Sequence, residues 1–188
     1  IAAYVSAANL PSVPLSNVLI GGFNGVPSGT QPGSGNEEVA LDIEMVISMA
    51  PGLSRVYVYE GSPRATMASI NAVLNRMATD NLAKQLSCSW GFEIDATTHQ
   101  IFQQYAAQGQ SFFLASGDSG AFGSVVVQPS DHPLVTVVGG TVLTTSSFHD
   151  YVSETAWRYS GGGISTVWPI PDWQQAASIA ANQGSTAM

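Results

Sequence analysis

Three carboxylates in the sequence stand at spacings that carry chemistry. Glu38 and Asp42 form an i, i+4 pair in "EEVALDIEMVISMA" (37–50), a stretch with helical periodicity. Side chains at that spacing project from one face of a helix, and at about 100° per residue Met45 and Met49 share their azimuth. Glu37, Glu44 and Ser48 cluster on the other side, so the expected helix has a solvated charged face and two acids on an apolar one. Like charges one turn apart repel, and burial disfavours both, which makes one shared proton and acid–base chemistry at low pH one outcome. The other is that water reaches both groups and the pair has no catalytic task.

The third carboxylate is Asp118, in "SFFLASGDSGAFG" (111–123). A turn aspartate commonly caps nearby amides. The sharper alternative is a carboxylic acid kept neutral so that it donates a hydrogen bond to a developing oxyanion. Its neighbour Ser119 completes Gly-Asp-Ser-Gly, the tetrapeptide around the nucleophile of trypsin-like proteases. That chemistry needs a histidine base oriented by a buried carboxylate on an all-β fold. His99, His132 and His149 stand in no such setting and the surrounding pattern is α/β, so Ser119 reads as a turn residue. Two further stretches faintly resemble a Gly-Thr-Ser nucleophile loop. "VVGGTVL" (137–143) has Val142 in the serine position, and "GSTAM" (184–188) has Ser185 before its threonine. Neither reads as a nucleophile.

The elements that must position these groups alternate. Strands are predicted over 16–22, 55–61, 85–91 and 111–117, with helices over 37–50 (N-cap Asn36), 64–80 and 98–109. One or two further strands are predicted within 133–147 and a late helix over 172–183. A β-α-β-α-β order implies right-handed crossovers and a mostly parallel sheet between helices, a three-layer α/β/α fold. Ligands bind such sheets beyond the carboxyl ends of the strands. Ser89-Trp90-Gly91 and Ser116-Gly117-Asp118 both follow a strand end and should share one crevice. Trp90 either fills core or floors a substrate groove.

Composition narrows the class. The 188 residues carry five Lys and Arg against thirteen Asp and Glu, a formal charge of −8. Arg55, Arg64, Arg76, Lys84 and Arg158 are scattered, leaving no basic stripe for a nucleic acid. So few cations limit positive self-repulsion in acid. The single cysteine, Cys88, excludes an intramolecular disulfide and reads as a buried small hydrophobe. No apolar run approaches the roughly 20 residues of a bilayer span. No repeat or second domain is visible, so residues 1–188 are read as one domain.

Taken together, "EEVALDIEMVISMAPG", "SCSWG", "ASGDSG", "VTVVGGT", "ETAW", "GGGIS" and "PIPDWQ" resemble the sedolisins, the serine-carboxyl peptidases, in order and spacing. The resemblance covers nearly all of the chain. It implies a subtilisin-like fold and cleavage of peptide bonds in acid by a Ser-Glu-Asp triad. Glu38 then matches the glutamate that serves as general base and acid, Asp42 the aspartate that orients it, and Asp118 the aspartate that supplies the oxyanion-hole donor. Ser89, Trp90 and Gly91 match the strand edge that binds substrate backbone, and Gly117 joins them as a substrate-binding position. A carboxylate pair still exchanges a proton where imidazole would stay protonated. The family's nucleophilic serine and its calcium (Ca2+) site lie downstream of the Trp173-Gln174 match. The 188 residues are therefore expected to be an incomplete peptidase domain, with a second chain or a C-terminal part carrying both, the break after Met188 being a cleavage in an exposed loop. The expected partner is a peptide or protein substrate, without nucleic acid or membrane, in a secreted or acidic setting. A glycoside hydrolase fits poorly, since its two carboxylates must flank a sugar bond and these point the same way. A catalytically inactive, peptide-binding relative is the alternative.

Overall fold

The computed structural model describes residues 1–27, 29, 35–62 and 64–177. Their contacts divide into two compact units, Ile1–Ala83 and Lys84–Met188. The first begins with a short helix that the sequence reading missed, α1 (Ala2–Ala7), followed by β1 (Leu15–Leu19), α2 (Asn36–Met49), β2 (Val56–Glu60) and α3 (Met67–Asp80). β1 and β2 run parallel with Leu15 opposite Val56 and Leu19 opposite Glu60, as a β-α-β crossover demands. Val13, Ile20, Ile47, Leu74 and Ala78 form the buried core of this unit.

Helix boundaries follow local chemistry. Asn36 is the first helical residue of α2, and the cap is Gly35 at φ +82, a left-handed conformation that glycine adopts without a Cβ penalty. The predicted Asn36 cap is thus displaced by one residue, and its Nδ2 instead donates to the Gly29 carbonyl. α3 starts with a capping box in which Thr66 accepts from Ser69 N at 3.2 Å and Ser69 Oγ accepts from Thr66 N at 2.8 Å.

The second unit contains β3 (Gln85–Cys88), α4 (Ala96–Ala107), β4 (Ser111–Ala115), β5 (Val135–Val138), an antiparallel hairpin of β6 (Thr141–Thr145) and β7 (Tyr151–Ala156), and a 3-10 turn, Asp172–Ala177. β3, β4 and β5 form a parallel sheet in that order, Cys88 opposite Leu114 and Leu114 opposite Val137. Asp95 caps α4 by accepting from Thr98 N at 2.9 Å, in a second capping box. α4 buries Ile101, Phe102 and Tyr105 against Phe112 and Leu114, with the Tyr105 and Phe112 rings stacked at 5.9 Å. Each such aromatic side chain contributes about 1.5–3 kcal/mol by leaving water.

The late helix predicted over 172–183 forms only as the 3-10 turn as far as Ala177, and the rest lies outside the described residues, as does "GSTAM". β7 is unpredicted because its "YVSETA" lacks apolar alternation, and every residue in it is exposed.

Candidate functional site

α2 brings Glu38 and Asp42 one turn apart, and both are half-buried. The apolar face they share is open, with Met45 42% and Met49 85% exposed. The opposite face, expected to be solvated, is partly covered instead: Tyr4 Oη of α1 lies 2.9 Å from Ser48 Oγ, which donates to the Glu44 carbonyl at 2.7 Å. Glu37 on that face is exposed as expected, and α1, which the sequence did not reveal, covers Ser48. Glu38 and Asp42 belong to the first unit, and the remaining candidates to the second.

In the second unit the two candidate segments leave neighbouring parallel strands at the same end of the sheet. Ser89-Trp90-Gly91 follows β3 and Gly117-Asp118 follows β4, and the Cys88–Leu114 register sets the two exits side by side. Trp90 is 49% exposed, so it is not core filling. Its N–H points at Cys88 Sγ, 3.4 Å away, and Cys88 is half-buried, where deep burial was expected. Within the three-stranded sheet β3 is the outermost strand, hydrogen-bonded to β4.

Asp118 is exposed on a loop bracketed by left-handed glycines, Gly117 at φ +82 and Gly120 at φ +77. Residues 159–162 lie along that loop like a strand. Gly120 N donates to the Tyr159 carbonyl at 2.8 Å, and Phe122 N to that of Gly162 at 2.7 Å. Gly161 N is shared between Ser116 Oγ at 3.1 Å and the Gly117 carbonyl at 3.3 Å. The approach is so close that a Cβ on Gly161 would lie 1.9 Å from the Ser116 carbonyl oxygen. A cavity of about 130 Å³ behind the loop, bounded by Ser116, Phe122, Gly139, Gly161 and Asp131, has room for a few waters or the tip of a side chain.

Two of the three histidines, buried His132 and half-buried His99, form a pair that sequence spacing did not signal. Leu134 N donates to His132 Nδ1 at 3.2 Å, so the neutral ring carries its proton on Nε2, which donates to His99 Nδ1 at 2.9 Å. His132 is fully buried, and Trp168 stacks on His99 with ring centroids 5.7 Å apart. Burial foremost, then the neighbouring His99, lowers the His132 pKa from 6.5 to about 4, with the Asp131 carboxylate opposing. Asp131 accepts from Ser165 Oγ at 2.8 Å, and Ser165 Oγ in turn accepts from Val167 N and Trp168 N. With both ring nitrogens engaged, His132 is unavailable as a general base, and the parallel sheet around Ser119 is not the all-β fold a trypsin-like site needs. Among the described residues, no group of three or more His, Cys, Asp or Glu side chains could hold a metal ion, and no helix is long and apolar enough to cross a membrane.

Comparison with known proteins gives a consistent answer. No protein-family model matches the chain. Sedolisin of Pseudomonas sp. (strain 101) is 31% identical over 206 residues, covering 93% of this chain and 35% of the relative. Kumamolisin of Bacillus sp. (strain MN-32) is 29% identical over 98% of this chain and 37% of its own length. Tripeptidyl-peptidase 1 of Rattus norvegicus is 30% identical over 74% of this chain and 27% of its own. A solved structure of Pseudomonas sedolisin, a serine-carboxyl proteinase complexed with pseudo-iodotyrostatin, superposes with a TM-score of 0.81 at 28% identity, covering all of this chain and 58% of that one. The chain thus spans 35% of the sedolisin and 37% of the kumamolisin it matches.

Proposed function

The chain belongs to the sedolisin family, and from that premise we propose that the whole protein is an acid-active serine-type peptidase to which these residues contribute an incomplete catalytic domain. The observation that carries the reading is the pair of loops, Ser89–Gly91 and Gly117–Asp118, leaving adjacent parallel strands at one end of the sheet. By the family match, an extended substrate pairs by backbone hydrogen bonding along Ser89, Trp90 and Gly91, and Gly117 is a further substrate-binding position. Glu38 takes the proton of an attacking serine hydroxyl and returns it to the leaving amine, while Asp42, one turn along the same helix, orients it. Asp118, in its protonated form, donates to the oxyanion of the tetrahedral intermediate, a role that low pH favours. The nucleophilic serine is supplied by a part of the fold outside these residues or by a second chain. By the family resemblance, a calcium ion would be held by that same part. An acid-active peptidase of this kind works in a secreted or otherwise acidic setting.

The test is peptide cleavage by the full-length protein at about pH 3–5. Glu38→Gln and Asp118→Ala should each lower kcat by at least about 10²-fold, the usual cost of losing a general base or one oxyanion donor, with the circular dichroism spectrum unchanged. Near-normal turnover in either variant refutes the role given to that residue. No cleavage and no serine-reactive label in the wild type would favour an inactive, peptide-binding protein.

A further inference from the structure

We infer that Ser160 is a positioning residue for Asp118, acting through the strand-like segment 159–162; this rests on Asp118 being the oxyanion donor proposed above. The Asp118 loop leaves β4 with no helix or strand of its own to hold it. Its backbone is held by 159–162 through the Gly120–Tyr159, Phe122–Gly162 and Gly161–Gly117 hydrogen bonds, with Ser116 Oγ as a second acceptor for Gly161 N. That segment needs an anchor, and the Ser160 hydroxyl provides one. Its oxygen accepts from Gly140 N at 2.7 Å and its proton goes to the Gly140 carbonyl at 3.0 Å. One hydroxyl thus engages both backbone groups of Gly140, the residue between Gly139 and the start of β6, as a paired strand would. Trp157 N also donates to the Gly140 carbonyl at 3.0 Å, and Ser160 N to the Trp157 carbonyl at 3.0 Å, closing a tight turn around the anchor.

The consequence is a chain of contacts from the β5–β6 junction to the exposed Asp118. The β5–β6 junction places Gly140, Gly140 holds Ser160, and residues 159–162 hold the backbone on either side of Asp118. Ser116 N donates to the Val138 carbonyl at 3.0 Å, so the loop's entry is tied to the same strand. An oxyanion donor must lie about 2.7–3.1 Å from an atom that carries full charge only in the transition state. A misplacement of about 1 Å costs on the order of 10²-fold in rate, so a small slackening of this clamp appears in kcat before it appears in binding.

A double-mutant cycle in the full-length protein decides the matter, because it separates action through Asp118 from a general loss of packing. Ser160→Ala should lower kcat about 10-fold while KM moves less than about twofold, and Ser160→Thr, which keeps the hydroxyl, should restore most of the loss. In the Asp118→Ala background, Ser160→Ala should change kcat less than about twofold. Should Ser160→Ala fail to fold, Ser116→Ala removes the other side-chain contact to the clamp and enters the same cycle. The full 10-fold loss persisting without Asp118, or no loss in the single variant, overturns the inference and leaves the catalytic reading intact. Unchanged turnover in Asp118→Ala alone removes the catalytic reading, and the inference falls with it.

Discussion

Acid should loosen the second unit through His132, at the very pH where the proposed chemistry runs. His132 is neutral in the folded chain down to about pH 4, whereas in the unfolded chain it protonates near 6.5. Above pH 6.5 both states hold the ring neutral and folding gains the full benefit. As the pH falls through the window from 6.5 to 4, the unfolded state binds the proton first, so stability is lost progressively, and the loss levels off below pH 4. With these two values the loss is about 2 kcal/mol at pH 5 and about 3 kcal/mol at pH 4. The cause is stereochemical as well as dielectric. A second proton has only Nδ1 to occupy, and Nδ1 already accepts from Leu134 N, so protonation sets two donors face to face. The assay is urea unfolding of the full-length protein at pH 6.5, 5 and 4, alongside His132→Asn, which has no titrating ring. The variant should be less stable at pH 6.5, because it abandons the His99 and Leu134 contacts, but its further loss between pH 6.5 and 4 should be smaller than the wild type's by about 2–3 kcal/mol. Equal acid losses in the two proteins would refute the reasoning.

Two other substitutions test the supports of this unit. Ser165→Ala removes the donor to buried Asp131 and the acceptor for Val167 N and Trp168 N, and should cost about 2–3 kcal/mol in urea unfolding and loosen Trp168, read by its fluorescence. Asp95→Ala deletes the cap of α4 and should cost about 1 kcal/mol in the same measurement, with activity retained once folded.

What could be read from the letters alone divides along physical lines. Alternation of buried strands and amphipathic helices is a local signal, so the parallel order β3-β4-β5 and the shared exit of "SCSWG" and "SGDSG" were legible. The sequence pattern begins α3 at 64 and α4 at 98 and does not single out the caps Thr66 and Asp95, each followed three residues on by a hydroxyl that completes a capping box. α1 was missed because "IAAYVSAANL" is too short to show a period, and with it went the partial covering of Ser48. The His99–His132 pair and the Ser160–Gly140 anchor bridge 33 and 20 residues, and no single window contains both partners. The sedolisin resemblance identified Glu38, Asp42 and Asp118 as candidates, but spacing alone left Asp118 a turn residue or an acid. Partners joined only by the fold carry no local signature.

The run Gly161-Gly162-Gly163 looks like three interchangeable letters, yet its members are under unequal constraint as the protein diverges. Any mutation of the Gly161 codon that changes the residue introduces a Cβ into the Ser116 carbonyl, so that site should be closed to drift. Gly162 meets nothing within 4 Å and keeps a backbone that other residues adopt, so substitutions should accumulate there neutrally. Gly163 would touch Phe122 at 3.2 Å and should admit change only when Phe122 changes with it. Lineages of this chain would then show one invariant, one free and one covarying position inside a single tripeptide.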